Sequence, residues 1–117
     1  MVTAVEFSPD GTKLASGSGD GDIRLWDTGT GRADQLLKGN NGYITSVRFS
    51  PDGSKLVSGS FESICIWNAG TGRAEHTLET NNDYIEDMAF SPDGSELASC
   101  SFKDGSIFIW EIATGQI

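Results

Sequence analysis

The chain has 117 residues, with 8 basic and 17 acidic side chains and a formal net charge of −9. This length suits one domain with a real core, and the acidic balance disfavours nucleic acid as a partner, because phosphates repel such a surface. A basic protein surface is the partner that this charge favours, although the same charge also keeps a glycine-rich β-protein in solution.

The two cysteines and the apolar runs bear on location. Cys65 and Cys100 lie in strand-like runs and form no CxxC pair, so we expect reduced thiols that act as small apolar residues in an intracellular, cytoplasmic protein. No apolar run approaches the ~18 residues of a membrane helix, and the first residues lack the apolar region of a signal peptide. The sequence therefore predicts no membrane partner.

One stretch is written three times, as FSPDGTKLASGS from Phe7, FSPDGSKLVSGS from Phe49 and FSPDGSELASCS from Phe90. A tryptophan follows each copy, at Trp26, Trp67 and Trp110. The tryptophans are 41 and 43 residues apart, and a Thr-Gly pair comes after each of them. A period of about 40–45 residues is typical of a β-propeller blade.

Alternating apolar and polar residues between turn signals predict four strands in the first repeat. These strands cover residues 3–8, 13–18, 22–27 and 33–38. The second repeat has predicted strands at 44–50, 55–60, 63–68 and 74–79. The third has only three, at 85–91, 96–101 and 106–111. Only two residues follow Gly115, so a fourth strand is missing and the chain looks truncated.

The prolines support an all-β fold. Pro9, Pro51 and Pro92 occupy the same Ser-Pro-Asp-Gly turn in the three repeats, where proline presets φ and glycine accepts a positive φ. No proline interrupts a predicted strand, and no segment has the periodicity of a helix. Local signals therefore agree on eleven strands and no helix.

With its Val-x-Phe-Ser-Pro-Asp-Gly, Leu-Ala/Val-Ser-Gly-Ser, Ile-x-Leu/Ile-Trp-Asp/Asn and Thr-Gly elements, the chain resembles the WD40-repeat family. The resemblance covers essentially the whole chain, as three repeats at about 1–42, 43–83 and 84–117. It implies four-stranded antiparallel blades arranged radially around a channel, with the first strand of each innermost. The fold expected is an incomplete β-propeller whose third blade lacks its outer strand.

The chain departs from the family in a polar network. Family blades commonly carry a histidine that hydrogen-bonds an aspartate, but Asn40 and Asn81 occupy the matching positions. The aspartate matches Asp20 and Asp104, and only Glu62 is near in the second repeat. Because asparagine has a shorter reach, we expect stability to depend more on apolar packing between blades.

The number of repeats is a second departure, since propellers close with about 4–8 blades. Three blades would leave two outer faces bare. We therefore expect either self-association into closed rings or the remainder of a longer propeller. Trp67, in the central repeat, is predicted to be covered on both sides, and Trp110, in the terminal repeat, to be covered less.

The resemblance also implies that several loops share one end of the propeller and form the candidate interaction face. Its predicted members are Asp20, Asp22, Asn40, Asn41, Tyr43, Glu62, Asn81, Asn82, Asp83, Tyr84 and Asp104, with Lys38 and Lys103 as counter-charges. Tyrosine and asparagine are common at interfaces, but each tyrosine could equally pack over its own blade while the asparagines cap turns. The function expected is a non-catalytic protein–protein interaction scaffold. The alternative is a glycan- or small-molecule-binding, lectin-like propeller.

Catalytic signals are weak. His76 is the only histidine and is predicted in an outer strand, exposed to solvent; one histidine with two separated cysteines makes no common zinc site. Residues 17–22 have the acidic spacing of a calcium loop but lack its downstream glutamate, and residues 28–32 are followed by no helix that would bind phosphate. Both are predicted turns. The sequence predicts no enzyme, no cofactor and no metal.

Overall fold

The computed structural model describes residues 1–37, 42–61, 63–79, 85–103 and 105–114. These residues form eleven strands and no helix, which confirms the predicted all-β class. The strands are β1 (Val2–Phe7), β2 (Lys13–Ser18), β3 (Ile23–Asp27), β4 (Ala33–Leu37), β5 (Ile44–Phe49), β6 (Lys55–Ser60), β7 (Ser63–Asn68), β8 (Ala74–Glu79), β9 (Ile85–Phe90), β10 (Glu96–Ser101) and β11 (Ile107–Glu111).

The strands form three antiparallel sheets in the order β1-β2-β3-β4, β5-β6-β7-β8 and β9-β10-β11. The first two sheets have four strands and the described part of the third has three, as predicted. Corresponding residues have the same register, so that Val2, Ile44 and Ile85 lie opposite Ser18, Ser60 and Ser101. Each position in one sheet therefore has a counterpart in the other two.

The Ser-Pro-Asp-Gly turns join the first and second strands of every sheet. In the second sheet, one carboxylate oxygen of Asp52 accepts hydrogen bonds from the Ser54 amide (2.9 Å), the Ser54 hydroxyl (2.7 Å) and the Ser50 hydroxyl (2.8 Å). These bonds, the Ser54 amide first, lower the pKa of Asp52 to about 2. Gly53 follows with φ of 77°, a conformation that glycine adopts at little cost. Pro9, Pro51 and Pro92 lie in the three turns, as predicted, and they are exposed.

The sheets stack side by side, with β5 between β1 and β9. One apolar core lies between the first two sheets and contains Ala15, Ile23, Leu25, Leu37, Ile44, Val47, Phe49, Leu56, Cys65 and Trp67. A second lies between the last two sheets and contains Val57, Ile64, Ile66, Leu78, Ile85, Met88, Leu97, Trp110 and Ile112. The buried apolar residues of the described ranges thus fall into these two clusters between sheets.

The cores give each sheet two distinct faces. The front face, turned toward the preceding sheet, carries phenylalanine and tryptophan, as at Phe49 and Trp67 of the second sheet. The back face, turned toward the following sheet, carries smaller or branched residues, as at Val57, Ile64 and Ile66. Every internal interface therefore joins a front face to a back face.

The three tryptophans differ in how much of each side chain is exposed. Trp67 is 1% exposed, but the terminal Trp110 is also buried, at 5%, and Trp26 is the one that is only partly buried. All three belong to front faces, so Trp110 is covered by the second sheet, whereas no sheet of this chain precedes Trp26. Coverage depends on which face is open and not only on position at a chain end.

Polar bonds tie the innermost strands together. The hydroxyl of Thr3 donates to the carbonyl of Ile44 (2.5 Å), and that of Thr45 donates to the carbonyl of Ile85 (2.7 Å). Arg48, on β5, bridges both neighbours through Glu6 Oε2 (3.1 Å) and Asp87 Oδ1 (3.0 Å). These contacts fix the order in which the sheets are stacked.

Candidate interaction surface

The strands β1, β5 and β9 all begin at one end of the stack, which we call the top end. The β2–β3 loop is also there, because the Gly19 amide donates to the carbonyl of Met1 (2.9 Å). Three predicted site residues lie at this end within the described residues: Asp20, Asp22 and Tyr43. The others lie outside the described residues, namely Asn40, Asn41, Glu62, Asn81, Asn82, Asp83, Tyr84 and Asp104.

Tyr43 is the aromatic centre of this end. Its ring stacks on the ring of Phe61, with centroids 5.2 Å apart and planes within 10°. It also lies against Gly19, where an added Cβ would stand 3.2 Å from the tyrosine Cε2. Tyr43 is partly buried and Phe61 is 44% exposed. Tyr43 thus packs on its own sheet while part of its side chain stays exposed, and its contact with a partner remains a prediction.

Phe61 was not among the predicted site residues. A signal was present, since a Ser-Phe pair ends the second strand in both the second and third repeats, at Phe61 and Phe102. Phe102 is 61% exposed. An aromatic residue that recurs just after a strand, where solvent is expected, indicates a surface that benefits from apolar contact.

A cavity of about 440 Å³ opens beside the aromatic pair. It is lined by Met1, Val2, Thr3, Tyr43, Ile44, Thr45, Phe61 and Glu86. Glu86 is exposed and supplies a carboxylate at its rim. The cavity therefore combines an aromatic wall with a negative charge.

Asp20 and Asp22 have local roles in the β2–β3 loop. One carboxylate oxygen of Asp20 accepts from the Ser18 hydroxyl and from the Asp22 amide (3.1 Å), and these bonds, the Ser18 hydroxyl first, lower the pKa of Asp20. The Ser18 amide donates to the carbonyl of Asp22 (3.0 Å). This geometry is the predicted turn. Within the described ranges, no three acidic, histidine or cysteine side chains cluster as a metal site.

The three tryptophans, predicted to be structural, make the same hydrogen bond in each sheet. Each indole nitrogen donates to a serine hydroxyl of the neighbouring strand at 2.9 Å, in the pairs Trp26–Ser16, Trp67–Ser58 and Trp110–Ser99. The histidine that the family commonly adds to this network corresponds to Asn40 and Asn81, which lie outside the described residues. In the part of the network that is described, the serine hydroxyl satisfies the indole N–H.

At the opposite, bottom end, the groove between the second and third sheets holds a cavity of about 710 Å³, which His76 lines. His76 lies in the outer strand β8, as predicted, but it is partly buried and not fully exposed. Glu96 and Glu111, directly opposite each other on β10 and β11, line the same cavity, as does the Lys55–Glu75 ion pair. This cavity could not be predicted from the sequence, because it forms only where two sheets meet.

Comparison with known proteins agrees with this architecture. The family model described as "WD domain, G-beta repeat" matches residues 1–27, 31–68 and 72–111. These matches take in most of the chain, and the chain belongs to the WD40 family. The three sheets are accordingly called blades below.

Individual relatives match over single stretches. Human WD repeat-containing protein 86 is 42% identical over 43 residues, which are 37% of this chain and 11% of that protein. Protein Notchless of Drosophila melanogaster is 62% identical over 29 residues, 25% of this chain and 6% of that protein. Ribosome assembly protein 4 of Chaetomium thermophilum is 41% identical over 44 residues, 37% of this chain and 8% of that protein.

The matches thus span only a small part of these curated relatives. The described part of the chain contains no helix that could cross a bilayer.

Proposed function

We infer that this three-blade chain is a non-catalytic protein-interaction scaffold inside the cell, with the top end as its binding surface. Membership of the WD40 family supports the coarse function, and one relative is named for the assembly of a ribosome. The observation that carries the choice of surface is the Tyr43–Phe61 stack, which stands at the rim of a cavity on a rigid β scaffold. Aromatic residues of this kind often supply much of the energy of an interface.

The partner we propose is a protein that presents a basic segment. The chain carries a net charge of −9, and Asp20 and Glu86 are both exposed at the top end. A lysine or arginine side chain over the Tyr43–Phe61 stack would gain contact with the aromatic face and with the Glu86 carboxylate. Such binding should weaken as salt is added, because the attraction between exposed charges is screened.

The test is site-specific photo-crosslinking. A photoreactive phenylalanine analogue at Tyr43 should capture a partner from cell extract, while the same analogue at Thr30, exposed at the bottom end, serves as the matched control. The identified partner should then bind the Tyr43→Ala and Phe61→Ala variants at least about 10-fold more weakly, as truncated interface aromatics do. Equal capture from both positions, or unchanged affinity of the variants, would contradict the assignment of the surface.

A lectin-like function is the second candidate. The 440 Å³ cavity brings an aromatic wall, two threonines and a carboxylate together, and sugars bind by stacking and hydrogen bonding. A thermal-shift screen against sugars, repeated with Tyr43→Ala, separates the two functions. A stabilisation by sugar at mM concentration that the variant loses would favour the lectin.

The open blade faces also require an occupant. Further blades, from another copy of this chain or from the remainder of a longer propeller, would cover them.

A further inference from the structure

The two outward faces of the stack are apolar and exposed. On the front face of the first blade, Val2, Val5 and Phe7 are 63%, 57% and 63% exposed. On the back face of the third blade, Ile107 and Ile109 are 69% and 53% exposed. Soluble proteins rarely leave apolar patches of this kind uncovered.

The buried interfaces inside the chain show what would cover the open front face. By strand register, Val2, Val5 and Phe7 correspond to Ile44, Val47 and Phe49 of the second blade. Those counterparts are 0%, 0% and 8% exposed, because the back face of the first blade covers them. The open front face thus has the composition of a face that docks on the back of another blade.

The same comparison applies to the open back face. Ile107 and Ile109 correspond to Ile64 and Ile66 of the second blade, which are fully buried against the third. A groove of about 170 Å³ on the third blade is lined in part by Ala98, Cys100 and Ile107. This groove lies where the back faces of the first two blades receive the side chains of Ile44 and Ile85.

We propose that a second copy of this chain covers both faces. At one joint, the front face of the second copy's first blade packs on the back face of the first copy's third blade. At the other joint, the two copies exchange these roles. Both internal interfaces pair an aromatic front with a branched-aliphatic back. Front-to-front pairing would instead set Phe7 and Trp26 against their own copies, an arrangement for which the chain offers no template. Two copies joined twice give six blades, within the 4–8 that close a propeller, and a head-to-tail contact of this kind closes when its rotation allows.

Three residues at this joint, Val2, Glu86 and Cys100, differ from their counterparts at the internal interfaces. Cys100 stands where Gly17 and Gly59 receive an isoleucine, and the incoming residue would be Val2, which is smaller than isoleucine. Glu86 stands where Thr3 and Thr45 donate to the next strand, so that hydrogen bond is lost. The joint should therefore be weaker than the internal interfaces, and it should cover the Cys100 thiol.

The experiment uses one-sided variants of the full chain, measured by light scattering with gel filtration at ~10–100 μM under reducing conditions. The unaltered chain, of 12.5 kDa, should elute as a dimer. Phe7→Asp blocks the front face and Ile109→Asp blocks the back face, and each variant alone should associate at least ~100-fold more weakly, because a buried unpaired charge opposes docking. An equimolar mixture should regain association through one joint, where an intact front meets an intact back, although the two substitutions meet at the other joint.

Phe102→Asp, at an exposed phenylalanine outside both faces, is the matched control and should leave the dimer unchanged. Thiol labelling gives a second readout, because Cys100 should react more slowly in the unaltered chain than in Ile109→Asp. Several results would overturn the proposal: a monomer at every concentration, as expected if flanking blades of a longer chain fill the faces; loss of the dimer in only one of the two variants; or a mixture that stays monomeric while circular dichroism shows both variants folded.

Discussion

Two buried serines of the second blade differ in whether their hydroxyl groups are hydrogen-bonded. Ser58 is fully buried and accepts the hydrogen bond of the Trp67 indole, whereas the buried hydroxyl of Ser46 has no partner among the described residues. Ser58→Ala leaves the indole N–H unsatisfied and should lower the free energy of unfolding by about 1–3 kcal/mol.

Ser46→Ala removes a polar group that gains nothing in the folded state, so it should be neutral or stabilising. Chemical denaturation of both variants provides the comparison. A larger loss of unfolding free energy for Ser46→Ala than for Ser58→Ala would show that the Ser46 hydroxyl has a hydrogen-bond partner outside the described residues.

Substitution of each tryptophan by alanine should lower the free energy of unfolding, and the loss should be larger for the more buried side chains. Trp67→Ala truncates a fully covered aromatic side chain and should cost about 3–5 kcal/mol. Trp26→Ala, at the open front face, should cost clearly less, and Trp110→Ala should lie close to Trp67→Ala because the second blade covers it. Denaturation at concentrations where the chain is monomeric tests the ranking, which fails if Trp26 proves as costly as Trp67.

The turn aspartates make stability depend on acid. The pKa values of Asp52 and Asp93 are lowered to about 2, chiefly by the backbone amides of Ser54 and Ser95. A carboxyl group whose pKa is lower in the folded state stabilises that state above its unfolded pKa, near 3.8, and this contribution is lost as the pH falls toward 2. The melting temperature should therefore drop between pH 4 and pH 2, and the drop should be shallower in Asp52→Asn. If the melting temperature of Asp52→Asn depends on pH as that of the unaltered chain does, Asp52 does not contribute to the acid sensitivity.

At the scale of the strands, two glycines set how closely the blades approach. A Cβ on Gly17 of β2 would stand 2.4 Å from Ile44 Cγ2, whereas one on Gly59 of β6 would stand 3.3 Å from Ile85 and Met88. Overpacking at an interface typically costs 1–3 kcal/mol.

Gly17→Ala should therefore destabilise by about that amount, and Gly59→Ala by less. Gly29→Ala, in a turn whose nearest neighbour is the Asp27 carboxylate at 3.2 Å, is the control and should change stability little. If Gly17→Ala has the same melting temperature as the unaltered chain, the two blades can move apart with no loss of stability, and the close contact is not required.

Strands and turns could be predicted from the sequence because their causes are local. β2, β6 to β8 and β10 have the predicted bounds, β1 is shifted by one residue, and the other strands differ by one residue at one end. Proline, glycine and period-two alternation set these bounds within each repeat. The aromatic stack of Tyr43 with Phe61, and the Arg48 bridge to Glu6 and Asp87, could not be predicted. The Arg48 bridge joins residues 39 and 42 positions apart on three different blades, so it depends on how the blades stack. The aromatic stack forms inside the second blade, where the pairing of β5 with β6 brings the two rings side by side.

At the scale of the whole molecule, the position of a blade in the stack determines how stable the blade is and which of its faces remain exposed for binding. Among the described residues, the second blade is the one covered on both faces. Repeat proteins derive much of their stability from contacts between neighbouring repeats. The division into repeats at about 1–42, 43–83 and 84–117 remains a prediction, as does the assignment of the top end to a partner.

Strand-resolved hydrogen–deuterium exchange of the dilute, monomeric chain tests the stacking most directly. Amides that exchange through local opening report the stability of each unit separately. We predict the slowest exchange in β5, β6 and β7 of the second blade, and faster exchange in β1 and β11, whose outer faces are bare. Uniform protection across the three blades, or slowest exchange in β1 or β11, would contradict the proposed dependence of stability on stacking.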